Sequence, residues 1–231
     1  MKTSAKLVLA VALGATCFAA PAWAKKKPDL AAAAKVNLAS GLAATVDADP
    51  AHDPDNVLVL DLSNGQRVLI RLVPAWAPHH VERIKTLARE GFYNGVIFHR
   101  VIDGFMAQTG DPTGTGQGGS KLPDLKAEFN TMPHVRGSVS MARTDQPDTA
   151  NSQFFIVFYP HFSLDRHYTN FGRVISNMAG VDAIARGEPP ENPTKILQAS
   201  LLSEHKAPPV IAPPAPVAAP SVAELNNSKS N

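Results

Sequence analysis

Cysteine is almost absent from the 231-residue chain, and its one copy, Cys17, lies within the first 24 positions. From Lys25 onward there is no thiol. Disulfide scaffolds, thiolate nucleophiles and cysteine-based metal sites are therefore excluded there, and an oxidising compartment would place no demand on the chain. An excess of one charge is also missing. Setting aside Lys2 and Lys6 leaves 20 basic residues against 20 acidic ones, so nothing favours a polyanion such as nucleic acid. No apolar run is long enough to span a membrane. The longest, Leu7 to Ala20, falls short of the roughly 20 residues a spanning helix needs and soon meets Pro21.

What that first segment does contain is a short positive end at Lys2 and Lys6, the apolar stretch, and the small-x-small triplet Ala22-Trp23-Ala24, with no acidic residue. Residues 1–24 read as a cleaved export signal, with the mature chain starting at Lys25 and residing in a bacterial periplasm. Gly14-Ala15-Thr16 does not offer the lead-in that lipid attachment at Cys17 would require.

Composition divides the remainder. Residues 25–54, rich in Ala, Lys, Asp and Pro without a sustained apolar period, read as a flexible spacer. Residues 203–231 form a Pro/Ala-rich tail that cannot bury enough apolar surface to offset its ordering entropy, and it is expected to be disordered. Residues 55–202 are close to the usual size of one domain.

Within 55–202 the punctuation is that of a mainly β domain. Val57 to Leu62 and Arg67 to Val73 are strand-like and flank Asn64-Gly65, a hairpin dipeptide. Pro78 suits a first helical turn, and Val81, Ile84, Leu87 and Ala88 share one face before Gly91 ends the helix. Further strands are expected at Val96 to Ile102, Phe105 to Gln108, Gly137 to Ala142, Gln153 to Phe158, Phe171 to Ile175 and Lys195 to Leu201. A second helix over Asn177 to Arg186 is expected to be capped by Gly187. Eight strands with two helices and no repeat do not fit the alternating pattern of a parallel α/β sheet. The expected solution is a closed eight-stranded antiparallel β-barrel capped by two α-helices.

Two blocks stand out. FHRVIDGFMAQTGD, residues 98–111, puts Arg100 on one strand and Phe105, Met106 and Gln108 on the next, across Asp103-Gly104. Alternation places Met106 and Gln108 on one face and Phe105 on the other, unless the turn twists the strand. GSVSMART, 137–144, leads to NSQFF, 151–155, which presents Gln153 and Phe155 together. An arginine among large apolar groups has to find a partner or a ligand carbonyl, because an unpaired buried cation is costly.

Other features have plainer readings. His79-His80 lacks zinc-protease spacing, and adjacent helical residues point apart, so both are expected on the surface. Asp103 and Asp111 are explained by turn chemistry. GTGQGG, 114–119, lacks the lysine and the following helix of a phosphate loop.

The motifs FHRVIDGFMAQTGD, GTGQGG, GSVSMA, NSQFF and FGRV, in this order and spacing, resemble those of the cyclophilin-type peptidyl-prolyl isomerases over nearly the whole 55–202 region. The resemblance implies a cyclophilin-like barrel with a shallow outer groove for a proline and its neighbours, and no cofactor or metal. By position, Arg100 resembles the family's essential arginine. Phe105, Met106, Phe155 and Leu164 resemble its proline-pocket walls, and Gln108 the amide that orients the arginine. Gln153, with the backbone of Ala142, Arg143 and Thr144, resembles the groove holding the substrate chain, bordered by Gly116. Tyr168 matches a rim position. Arg143 stands in place of the eukaryotic asparagine, at a contact made largely through main chain. Ser163 stands where many eukaryotic members carry a tryptophan tied to cyclosporin, so weak cyclosporin binding is expected.

The implied chemistry is rotation about X-Pro bonds in unfolded or flexible polypeptides by a monomer, assisting exported proteins to fold. The rival reading is a non-catalytic module that captures proline-bearing segments as a chaperone or scaffold. A weaker one is an envelope protein held to the cell wall by its tail.

Overall fold

The computed structural model describes residues 45–210. The expectations for the leader, for most of the spacer and for the tail beyond Val210 fall outside the described residues.

The chain enters through a short 3-10 turn at Pro54–Asn56 and forms the hairpin β1 (Val57–Leu62) and β2 (Arg67–Leu72). Gly65 alone of the Asn64-Gly65 pair takes a positive φ, 84°, and the Asn64 side chain accepts from the Gln66 N–H to complete the turn. In this hairpin Leu58 faces Ile70 and Leu60 faces Val68, all in the main core. The opposite face is covered by residues 47–53. Arg71, itself buried, donates to the carbonyls of Asp47, Asp49 and Asp53 at 2.7–3.1 Å. The last part of the stretch that composition assigns to a spacer is thus docked on the domain.

Helix α1 (Pro78–Arg89) begins with proline at its first turn and turns Val81, Ile84, Leu87 and Ala88 into the core. No side chain caps it at Ala77. Glu128, from a distant loop, accepts the N–H groups of both His79 and His80. Its oxygens also lie 2.8 Å from His79 Nδ1 and 2.6 Å from His80 Nδ1. His79 is exposed as expected, but His80 is fully buried, because a carboxylate satisfies a ring nitrogen there.

The remaining strands are β3 (Arg100–Ile102), β4 (Met106–Thr109), β5 (Ser138–Met141), β6 (Phe154–Val157), β7 (Asn170–Ser176) and β8 (Ile196–Leu201). All pairings are antiparallel, in the order β3-β4-β6-β5-β7-β2-β1-β8. This is a curled eight-stranded sheet with two ends, not the closed barrel expected from the sequence. The expected strand Val96 to Ile102 divides between those ends. Its second half is β3. Its first half instead bonds to the start of β8, with Gly95 and Phe98 N–H donating to Ile196 and Thr194 carbonyls and Ile196 N–H donating to Val96. Among the described residues, the isolated bridge Ile97 to Lys195 is the β-pair that joins the ends there.

Helix α2 (Met178–Asp182) is shorter than expected. Asn177 caps its start, accepting from the Gly180 N–H at 3.0 Å. Gly187 does not cap its end, because the Gly187 N–H and carbonyl are both taken by Val101 of β3, at 2.9 and 2.8 Å. No helix among the described residues is long and apolar enough to cross a membrane.

Alternation along the strands decides the rest. Val101, Ala107, Val139, Met141, Phe154 and Ile156 enter the main core, while Met106, Phe155 and Val157 point to the opposite face of the sheet. That outer face carries the candidate site.

Candidate active site

Directly opposed residues in an antiparallel ladder lie on one face, and neighbouring strands are about 4.8 Å apart. Arg100 pairs with Gln108, Gln108 with Phe155, and Phe155 with Ser140. The arginine, the amide and the aromatic ring therefore form one row across β3, β4 and β6. In the next row Ile102, Met106 and Val157 are likewise opposed.

The apolar part of this surface is a small second cluster of Met106, Phe155, Val157 and Leu164. Phe105, Ala142 and Tyr168 pack against it. Leu164 arrives from a 3-10 turn at Phe162–Leu164. Phe105 does not take the opposite face that simple alternation predicts. It lies in the turn before β4, its N–H bonded to the Ile102 carbonyl, and its ring meets His161 edge-on at 4.5 Å. Tyr168 stands edge-on to Phe155 at 5.6 Å, and the Arg143 guanidinium lies 4.7 Å from the Tyr168 ring centre. Arg143 also donates to the carbonyls of Thr144, Asp145 and His167, which ties the 143–145 loop to the Tyr168 segment.

Beside the cluster lies a groove of about 460 Å³ lined by Gln108, Gly116, Ala142, Arg143, Thr144 and Gln153 among others. These are six of the residues that the motifs nominate. Its amides are interlocked: Gln108 Nε2 donates to Gln153 Oε1 at 2.9 Å, and Gln153 Nε2 donates to the Gly116 and Gly118 carbonyls at 3.0 and 2.8 Å. Gln108, which the motifs cast as the amide that orients Arg100, faces it in register and holds Gln153 in this structure. Arg100 Nε instead donates to Glu188 Oε2 at 2.8 Å, where a carboxylate gives the stronger, charge-assisted bond. Both side chains of this pair are about half exposed, at 43% and 51%, so the guanidinium stays accessible on the rim.

The glycine loop is shaped by Asp111, which is fully buried. Its carboxylate accepts from Thr113 N–H and Oγ1, Gly116 N–H and Gly118 N–H at 2.7–3.1 Å. Burial alone would raise its pKa, but these hydrogen bonds outweigh it and hold the carboxyl at about 2. A Cβ at Gly118 would sit against Asp111 Oδ1, so glycine is needed where the backbone closes on the carboxylate. Among the described residues, no group of three or more His, Cys, Asp or Glu is placed to hold a metal ion.

The sequence gives no sign of Glu188, because 88 residues separate it from Arg100 and nothing in its local context marks it. His99, next to Arg100, likewise carries no signal in the sequence. It is buried under the glycine loop, and burial lowers its pKa against the opposing pull of Asp111.

Three comparisons bear on this geometry. A family model described as cyclophilin-type peptidyl-prolyl cis-trans isomerase/CLD matches residues 58–201. A probable peptidyl-prolyl cis-trans isomerase of Brucella suis is 47% identical over 193 residues, covering 77% of this chain and 96% of the relative. Peptidyl-prolyl cis-trans isomerase-like 1 of Aspergillus niger is 41% identical over 144 residues, covering 58% and 88%. Among solved structures, a cyclophilin from Hirschia baltica aligns with a TM-score of 0.62 at 31% identity, over 68% of this chain and 77% of that one. A cyclophilin-type isomerase of Cryptosporidium parvum, crystallised in the presence of the dipeptide Ala-Pro, aligns with a TM-score of 0.59 at 27% identity, over 63% and 98%. With the curled antiparallel sheet and the Arg100–Gln108–Phe155 row on its outer face, these matches place the chain in the cyclophilin-type peptidyl-prolyl cis-trans isomerases.

Proposed function

We propose that this isomerase acts on X-Pro bonds of exported polypeptides, turning them at the outer face of β3, β4 and β6 with Arg100 as the acting group. The observation that carries this reading is the Arg100–Gln108–Phe155 row, which sets a half-exposed guanidinium beside an apolar hollow.

The amide resists rotation by roughly 18–20 kcal/mol because the nitrogen lone pair is delocalised into the carbonyl. Twisting frees that lone pair and makes the proline nitrogen pyramidal. Arg100 then donates to the nitrogen, or fixes a neighbouring carbonyl, and so binds the twisted state better than either planar isomer. The ring of the proline enters the hollow formed by Phe105, Met106, Phe155 and Leu164, where low polarity favours the less charge-separated twisted amide. Gln108 holds Gln153, which keeps the glycine loop in place, so that the groove against Ala142, Arg143 and Thr144 receives the residues preceding proline. Ala-Pro is the smallest ligand in keeping with this arrangement. No bond is made or broken, and the reaction needs no cofactor. Tyr168 closes the rim, and cyclosporin binding is weak because Ser163 offers no indole.

Glu188 orients the acting group. An ion pair this exposed is worth about 0.2–1 kcal/mol, so Glu188→Ala is expected to lower kcat/KM about two- to fivefold. Glu188→Gln keeps an acceptor and is expected to retain most of the activity. The alanine defect should shrink as added salt screens the wild-type pair. Wild-type activity of both variants in a protease-coupled assay would remove Glu188 from the mechanism.

The exported role rests on the residue 1–24 leader. Expression of the full chain in a Gram-negative host, followed by fractionation and mass spectrometry, is expected to give periplasmic protein beginning at Lys25. Cytoplasmic protein that retains residues 1–24 would overturn the compartment while leaving the enzyme intact.

A further inference from the structure

Behind the apolar hollow runs a polar chain, buried at His134 and Ser140 and partly exposed at Asp165, that the proposed rotation does not use. His134 is fully buried. Its Nδ1 lies 2.8 Å from Asp165 Oδ1, and its backbone N–H donates to the same oxygen at 2.8 Å. At the other edge of the ring, Nε2 lies 2.8 Å from Oγ of Ser140, which is also fully buried. Both ends of this chain reach the hollow. Asp165 directly follows Leu164, one wall, and Ser140 is the register partner of Phe155, another. The imidazole also lies nearly parallel to the Phe155 ring, with centroids 6.5 Å apart and planes 20° from each other.

A neutral imidazole offers one donor and one acceptor. Here Nδ1–H donates to the carboxylate and Nε2 accepts from the Ser140 hydroxyl, an arrangement that satisfies both ring nitrogens at once. His134 and Ser140 are both buried and bonded, so the chain resists displacement: a shift would strand one of these two without a partner.

We propose that Asp165, His134 and Ser140 form a positioning relay that locks the Phe155 and Leu164 walls against each other, so that the proline hollow is pre-formed before substrate arrives. This rests on the reading that Phe155 and Leu164 wall the proline site. Pre-formation removes the ordering that binding would otherwise have to impose on two loosely held walls.

The relay has an acid limit. Burial lowers the His134 pKa, and Asp165 opposes this only in part, so the ring is neutral at neutral pH. Asp165 is the ionisable group facing it. His161 approaches through its backbone N–H and turns its ring to Phe105, Arg136 points to Asp182, and Tyr168 lies beyond Phe155. Protonation makes Nε2 a donor as well. The Ser140 hydroxyl must then reverse inside closed packing, and the lock on Phe155 loosens.

The test measures kcat and KM of the full chain and of its Asp165→Asn, His134→Gln and Phe155→Ala variants on a proline tetrapeptide, between about pH 5 and 8. Near neutrality, Asp165→Asn is expected to raise KM about fivefold with a smaller change in kcat, the signature of weakened seating. The wild type should lose kcat/KM toward acid pH, and His134→Gln, which cannot titrate, should lack that limb. Superimposable pH profiles, or an unchanged KM in folded Asp165→Asn, would overturn the relay. If Phe155→Ala is defective while the His134 and Asp165 variants are normal, the relay alone fails. If Phe155→Ala is normal, the pocket reading beneath it fails too. Should the variants not fold, NMR of the Phe155 and Leu164 side chains in the wild type decides. Their signals are expected to move in step with the His134 titration, and signals that stay fixed through it would overturn the proposal.

Discussion

Arg100→Ala is expected to lower kcat/KM on a proline tetrapeptide about 10²- to 10³-fold, the scale found when a donor aimed at a transition state is removed. Folding should be nearly untouched. Arg100 lies on an outer strand with its side chain about half exposed, and Glu188, its charged partner among the described residues, is also about half exposed. Loss of such a pair removes about 1 kcal/mol or less. The activity defect therefore cannot be explained by unfolding, and a thermal melt beside the assay separates the two. Arg100→Lys is expected to recover only part of the loss. An ammonium keeps the charge, but it cannot hold the Glu188 oxygen while presenting further donors in the same plane. Turnover near wild type in folded Arg100→Ala would mean that the apolar hollow alone lowers the barrier and that the guanidinium is a bystander.

The second large effect concerns stability. Asp111→Asn is expected to destabilise the domain by about 2–3 kcal/mol and to disorder the glycine loop. The buried carboxylate accepts four hydrogen bonds at 2.7–3.1 Å, and an amide must turn an NH₂ toward donors that already point inward. Its pH dependence has a definite sign. The folded pKa of about 2 lies below the ordinary aspartate value of 3.8, so the native state takes up this proton less readily than the unfolded chain. The contribution, about 2 kcal/mol by linkage, is fully present above pH ~4 and is lost as pH falls through about 2. Denaturant melts from neutral to strongly acid pH should show a steeper acid loss in the wild type than in Asp111→Asn. Parallel acid limbs would show that Asp111 does not carry this term. Because Gln153 bonds to the Gly116 and Gly118 carbonyls, the variant should also lose activity on substrates that fill the groove.

Local chemistry was legible wherever a residue's neighbours in sequence are also its neighbours in space. The β1–β2 hairpin, the proline-led helix α1 and the inward and outward alternation of β4 and β6 follow from patterns a few residues long. The motif order identified the family, and six of the nominated residues line one groove. Side-chain partners were less legible. Gln108 faces Arg100 in register yet bonds to Gln153, because strand opposition fixes which residues share a face, but not which of several polar tips a side chain chooses. His80 reads as a surface residue from its helix alone, because Glu128, which partners it, lies 48 residues away. Helix α2 stops short of Arg186, and Gly187, a plausible cap by sequence, is recruited into a bridge with Val101.

By itself the sequence determined the strand and helix periods, the turn positions, the absence of thiols from Lys25 onward, and the run of motifs that marks a prolyl isomerase. Those are short-range properties, set by alternation, backbone preference and composition. Only the tertiary structure decided that Arg100 meets Glu188, that Asp111 gathers the glycine loop and that His134 bridges Asp165 to Ser140 behind Phe155. Glu188 lies 88 residues along the chain from Arg100, and Asp165 lies 31 from His134. Such meetings depend on how the whole sheet curls, and no local pattern encodes them.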